Sequence, residues 1–184
     1  MGPLLDRTGR RMNRLAFEQL APRAGEKVLE AGFGGGDLLS WTLAAGAEAI
    51  GIDPSEAMVR RARHRFRREL AAGELHLLEA PVARLPVGDA AADKAVSVNT
   101  LYFWEELAGP LAEFARVLRP GGRLVLCFQT PDAVRAWPGH VHGFRAYEPD
   151  QVALYMQQAG FSAPAVATAS DPKVGEFVCL TSQI

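Results

Sequence analysis

Between Glu30 and Asp53 the chain concentrates glycine and carboxylate in a pattern able to hold a small molecule. The run Glu30-Ala-Gly-Phe-Gly-Gly-Gly-Asp37 places Gly32, Gly34 and Gly36 at alternate positions. Glycine is needed where backbone turns tightly and approaches a ligand with no Cβ in the way. A dinucleotide-binding fingerprint wants its last glycine at position 37, where this sequence has Asp37. A carboxylate there repels a pyrophosphate, so a ligand with a ribose and no phosphate fits better. Asp53 supplies the ribose partner: it ends an apolar run 21 residues after Gly32, where an acid can accept hydrogen bonds from two hydroxyls.

These residues need elements to hold them. Lys27–Ala31 reads as a buried strand, Leu38–Ala45 as a helix and Ala49–Ile52 as a second strand, so the glycine loop has the strand–loop–helix setting it requires. Ser55–Ala72 has the spacing of one amphipathic helix, with Val59, Ala62, Phe66 and Leu70 on one side and six arginines between Arg60 and Arg68 on the other. Lys is scarce beside Arg in this chain, so that face reads as the solvated side of the helix. Further strands are expected at Leu75–Leu78, Asp93–Val98, Arg123–Phe128, Ala163–Thr168 and Glu176–Thr181. Further helices are expected at Arg11–Leu20, through Leu107, Leu111, Phe114 and Leu118, and through Val152, Tyr155, Met156 and Ala159. Pro120-Gly121-Gly122 reads as a turn, and Gln129–Tyr147 as an irregular segment. Strands alternating with helices imply a mainly parallel sheet covered on both faces, with ligands at the carboxyl ends of the strands.

Composition agrees. With 184 residues the chain has the length of one domain, 1–184. A net charge of −1 gives no basic excess to advertise nucleic-acid binding. Cys127 and Cys179 fit no zinc spacing, and no metal site is expected; both lie in apolar runs and read as two buried small hydrophobes. No apolar run reaches the roughly 20 residues of a membrane span, and the N-terminus lacks a secretory core. A cytoplasmic protein is expected.

Three stretches together resemble the class I S-adenosylmethionine (SAM)-dependent methyltransferases, above all the branch of ubiquinone and menaquinone biosynthesis and many small-molecule enzymes. Val28–Gly36 is similar to the family's SAM loop. Ile50-Gly-Ile-Asp-Pro-Ser-Glu-Ala-Met58 is similar to its ribose strand and following helix. Arg116-Val-Leu-Arg-Pro-Gly-Gly-Arg-Leu-Val-Leu126 is similar to its helix, turn and fifth strand. The resemblance spans about Asn13 to Thr181. It implies an α/β, Rossmann-like three-layer sandwich whose seven-stranded sheet is mostly parallel with the last strand antiparallel. It also implies SAM as cofactor and S-adenosylhomocysteine as product. Glu30 would then lie near the amino group of the ligand. Gly32, Gly34 and Gly36 would pass under its methionine and sugar, and Asp53 would hold the ribose. Pro54 (or Ser55) and Met58 would lie near the adenine. One departure stands out: Pro81 occupies the place of a common adenine-binding acid, leaving the Val82 backbone N–H as the expected contact.

The same resemblance puts the reacting methyl near Asn99-Thr-Leu-Tyr-Phe-Trp104. Asn99 is expected beside the cofactor, and Tyr102, Phe103 and Trp104 are candidates to line the substrate pocket, since a sulfonium is attracted to aromatic faces. This run is not the Asn-Pro-Pro-Tyr/Phe signature of methylation on nucleic acid bases. Methyl transfer by in-line displacement chiefly demands alignment, and a base is needed only if the acceptor loses a proton. His140, His142 and Tyr147 are the candidates for that base. Met1–Leu15 is expected to fold over bound SAM as a small lid. The expected function is methyl transfer from SAM to a small molecule. The alternatives are a catalytically silent SAM-binding protein acting on a partner and an NAD(P)-dependent oxidoreductase.

Overall fold

A computed structural model describes residues 10–136 and 144–184. In chain order it comprises α1 (Arg10–Leu20), β1 (Lys27–Ala31), α2 (Asp37–Ala44), β2 (Glu48–Asp53), α3 (Glu56–Arg65), α4 (Arg67–Ala72), β3 (Leu75–Glu79) and β4 (Ala92–Val98). A 3-10 turn (Leu101–Phe103) follows, then α5 (Ala108–Val117), β5 (Leu118–Gln129), α6 (Pro131–Ala136), α7 (Pro149–Gln158), β6 (Ala165–Asp171) and β7 (Gly175–Gln183).

The seven strands form one sheet in the order β3-β2-β1-β4-β5-β7-β6. β3, β2, β1, β4 and β5 pair in parallel, and β7 runs antiparallel to both β5 and β6. The expected mostly parallel, Rossmann-like sheet with an antiparallel last strand is the one observed. Strand order reverses between β1 and β4, so the crevice at their carboxyl ends is where such a sheet places a ligand.

Alternation along the strands covers both faces. Val28, Val96, Val98 and Cys127 meet Met12, Ala16, Leu20 and Leu38 from α1 and α2. On the same side Ala49, Leu75 and Leu77 meet Val59, Ala62 and Phe66. On the opposite side Leu29, Ala31, Ile52, Leu124 and Leu126 bury Leu111 and Phe114 of α5 and Val152 and Met156 of α7.

Four expectations are corrected. The long helix over Ser55–Ala72 is broken at Phe66, whose φ of −105° and ψ of 30° separate α3 from α4; the break lets the Phe66 ring lie buried beneath the glycine loop. Pro120-Gly121-Gly122 lies within β5, where the register slips from Ala92 opposite Leu118 to Lys94 opposite Arg123. The irregular segment after Gln129 includes the short helix α6. Cys127 and Cys179 are a disulfide pair, because the antiparallel register of β5 and β7 sets them directly opposite, with Cα atoms 4.1 Å apart. The lid expectation also narrows. Residues 10–15 belong to α1, with Met12 fully buried, while residues 1–9 lie outside the described residues.

Candidate functional site

Gly32, Gly34 and Gly36 each meet a neighbour that the fold brings close. Gly32, at φ +79°, donates its N–H to Ile52 O at 2.7 Å. A Cβ built on Gly32 would stand 2.4 Å from Cγ2 of Thr100, which follows β4. Gly34 donates to Asp53 Oδ2 at 3.1 Å. Gly36, at φ +77°, begins α2 with no side-chain cap, and a Cβ there would lie 2.8 Å from Cε2 of Phe66. The loop thus needs glycine both for its left-handed turns and for close packing.

Two carboxylates frame it. Asp53 ends β2 and is buried, and its Oδ1 accepts from Ser55 N–H at 2.9 Å. Each oxygen carries one backbone bond and keeps acceptor capacity, as a carboxylate has about four lone-pair sites. Glu30, in β1 between Gly51 of β2 and Val96 of β4, is 4% exposed, and its Oε2 has no hydrogen-bond partner. Burial pushes its carboxyl well above the ordinary range. The negative charges of Asp53 and Asp37 add to the rise, and the Leu39 amide partly offsets it. A buried, unpartnered carboxyl oxygen beside an open loop is a group awaiting a donor. Together Glu30 and Asp53 can take an amino group and a pair of hydroxyls.

Ser55 caps α3, its Oγ accepting from Met58 N–H at 3.4 Å. Pro54 is exposed just after Asp53, and Met58 is half-buried against the Phe33 cluster. Val82 is half-buried on the loop after β3, packed on the core that contains Leu29 and Ile52. Pro81 beside it is exposed.

At the end of β4, Asn99 turns with φ +61° and leaves its Oδ1 buried and unpartnered. Ser97 Oγ donates to Ala31 O at 2.7 Å and meets Thr100 Oγ1 at 2.5 Å, tying this turn to the glycine loop. Tyr102 is buried with its hydroxyl unpartnered, and burial raises its pKa. Phe103 is 67% exposed. The Tyr102, Phe103 and Phe144 rings meet edge to face, with centroids 5.0–5.8 Å apart. Trp104 departs from the expected pocket role. It is buried in the core against Phe114, at a centroid distance of 6.1 Å, because α5 packs directly behind it. Tyr147 donates its hydroxyl to Trp104 O at 3.1 Å, and burial raises its pKa. A phenol so placed acts as a structural donor, which argues against its service as a base. His140 and His142 lie outside the described residues.

Thr100, Ser97, Arg65 and Phe66 shape the site without a sequence signal of their own. Among the described residues, no three His, Cys, Asp or Glu side chains are grouped to hold a metal. No helix among them is long and apolar enough to cross a membrane.

The comparisons follow this geometry. The family described as "Methyltransferase domain" matches residues 29–126, more than half of the chain and the span that holds the loop, Asp53 and Asn99. The chain is 37% identical over 121 residues to an O-methyltransferase of Penicillium expansum, covering 64% of this chain and 43% of that protein. It is 36% identical over 120 residues to a demethylmenaquinone methyltransferase of Tropheryma whipplei, covering 62% and 46%. The chain spans about half the length of these curated relatives. A SAM-dependent methyltransferase structure from Aquifex aeolicus overlays with a TM-score of 0.78 at 20% identity, over 98% of this chain and 95% of that one. The residues that frame the glycine loop fit SAM, and the chain belongs to the methyltransferase-domain family, within the class I SAM-dependent methyltransferases.

Proposed function

We propose that this chain, acting as a single domain over 1–184, transfers the methyl group of SAM to a small-molecule acceptor in the cytoplasm by in-line displacement. The observation that carries the proposal is the buried, unpartnered Oε2 of Glu30 beside a glycine loop whose Gly34 amide is bonded to Asp53. Glu30 takes the amino group of SAM, the loop passes beneath its methionine and sugar, and Asp53 accepts from the ribose hydroxyls. Pro54, Met58 and the Val82 backbone border the adenine, and Asn99 Oδ1 faces the cofactor from the end of β4. The cofactor supplies an electrophilic methyl on a sulfonium sulfur.

Tyr102 and Phe103 form the near wall of the acceptor site, with Trp104 as the packing behind them. Aromatic faces there favour an acceptor with apolar surface and attract positive charge. Alignment of acceptor and methyl then supplies most of the rate. A protein acceptor or a nucleic acid fits this small aromatic wall less well.

Calorimetric titration of S-adenosylhomocysteine into the wild type and Asp53→Ala tests the cofactor site. An acceptor screen read by release of S-adenosylhomocysteine tests the transfer. Binding lost in the variant, with turnover of an acceptor, is the expected result. No binding by the folded wild type would sink the reading.

The exposed Pro81, standing where an adenine-binding acid is common, favours one second reading: a chain that binds SAM weakly and serves a partner without catalysis. Turnover of any acceptor dismisses it. The oxidoreductase alternative does not survive the match to the methyltransferase-domain family.

A further inference from the structure

The arginine-rich face of α3 and α4 is not uniformly a solvated surface. Arg65, the last residue of α3, reaches back to a stretch some 30 residues earlier in the chain. Its Nη1 donates to the Gly35 carbonyl. Its Nη2 donates to Asp37 Oδ1 at 3.3 Å and to Ser40 Oγ at 3.1 Å. The guanidinium also lies 5.0 Å from the Phe66 ring centroid, and that ring supports Gly36 from below.

Stabilising α2 does not explain this placement. A cation at a helix N-terminus opposes the macrodipole, and an isolated surface ion pair contributes little. The acceptors explain it better. The peptide unit joining Gly35 and Gly36 is held at both ends: its carbonyl takes the Arg65 bond, and its N–H donates to Phe33 O at 2.8 Å. Two consecutive glycines would otherwise leave this plane free to rotate. The same guanidinium holds the Asp37 carboxylate, one of the charges that raise the Glu30 carboxyl.

We infer that Arg65 is a positioning residue for the cofactor loop: it fixes the Gly35–Gly36 peptide and Asp37 before SAM arrives, so that binding does not have to order them. The break at Phe66 serves this purpose, because it turns Arg65 and Phe66 together onto the loop. The inference rests on the reading of this loop as the seat of SAM.

Two measurements test it on the full chain. Hydrogen exchange in the ligand-free protein reads the clamp directly: Arg65→Ala raises exchange in the peptide covering residues 33–40, while Arg68→Ala, an exposed neighbour, leaves it unchanged. Titration of S-adenosylhomocysteine reads its consequence. Arg65→Ala weakens binding by about 10-fold or more, Arg65→Lys recovers part of the loss because one ammonium replaces a fork, and Arg68→Ala stays within twofold. A purely structural arginine would lower the melting temperature and leave affinity below that temperature unchanged. Wild-type binding with Arg65→Ala within twofold, or unchanged exchange over residues 33–40, overturns the inference alone. A folded wild type that binds no S-adenosylhomocysteine overturns the cofactor reading and, with it, the role of Arg65 in binding.

Discussion

The backbone N–H of Gly34 donates to Asp53 Oδ2 at 3.1 Å, so the acid at the end of β2 is oriented by the same loop it is proposed to serve. The Ser55 amide holds the other oxygen. Asp53 therefore presents its remaining lone pairs in a fixed direction and spends little freedom on binding a diol.

The first prediction follows from that orientation. Asp53→Ala removes acceptors for two ribose hydroxyls and should cost about 2–4 kcal/mol of cofactor affinity, roughly 30- to 1000-fold. Asp53→Asn keeps one acceptor and should lose less. Calorimetry with S-adenosylhomocysteine measures both, and equal affinity in wild type and Asp53→Ala would remove Asp53 from the site.

The second concerns the contact between the loop and the end of β4. Gly32→Ala must place a Cβ at φ +79°, 2.4 Å from Thr100 Cγ2. Left-handed strain of about 1–2 kcal/mol and overpacking of about 1–3 kcal/mol add up to a loss near 2–5 kcal/mol. Thr100→Ser deletes that methyl and retains the hydroxyl facing Ser97. The double variant should regain the steric share, with a coupling of about 1 kcal/mol or more. Thermal or denaturant melts of the four proteins decide; strictly additive losses would exclude the Gly32–Thr100 contact as the cause.

The parts legible in the sequence are those whose meaning is local. Alternate glycines after an apolar strand and an acid closing the next strand declare the loop and its neighbouring carboxylate by residue type alone, and the strand–helix alternation declares the sheet. What was not legible depends on contacts made across the fold. Phe66 continues a helical pattern in sequence, yet its burial against Gly36 breaks the helix and delivers Arg65 to the loop. Cys127 and Cys179 read as separate apolar thiols until the β5–β7 register sets them opposite. Tyr102 and Trp104 are buried while Phe103 is exposed, and three consecutive aromatics carry no signal of which of them turn inward.

That difference in facing gives the third prediction. Phe103 is largely exposed, so Phe103→Ala should shift stability by less than about 0.5 kcal/mol. If Phe103 walls the acceptor site, kcat/KM for the acceptor falls while affinity for S-adenosylhomocysteine holds. Tyr102→Phe makes the opposite comparison. It deletes a buried hydroxyl without a partner and should stabilise the ligand-free protein by about 1 kcal/mol. Lowered turnover in the stabilised variant would show that the hydroxyl meets the acceptor, and unchanged kcat/KM in both variants would move the acceptor elsewhere.

The fourth prediction sets function against stability at one residue. Burial, reinforced by Asp53 and Asp37, holds the folded-state carboxyl of Glu30 well above its ordinary value. The native chain therefore binds this proton more tightly than the unfolded chain does. The contribution of Glu30 to stability is fullest below the unfolded carboxylate range and is lost as pH rises from there through the raised folded value. Glu30→Gln has no such loss. At neutral pH the ligand-free variant should be more stable than wild type and melt at a higher temperature. The gap should widen as pH rises above the ordinary carboxylate range of about 4 and close below it. Affinity for S-adenosylhomocysteine should move the other way, by about 10- to 100-fold, because a charge-assisted bond to its amino group is gone. Melting curves across this pH range, paired with titrations at neutral pH, test both halves. A Glu30→Gln protein less stable than wild type at neutral pH would mean that the carboxylate is compensated inside the fold. Glu30 would then be a structural acid and not one held in reserve for the ligand.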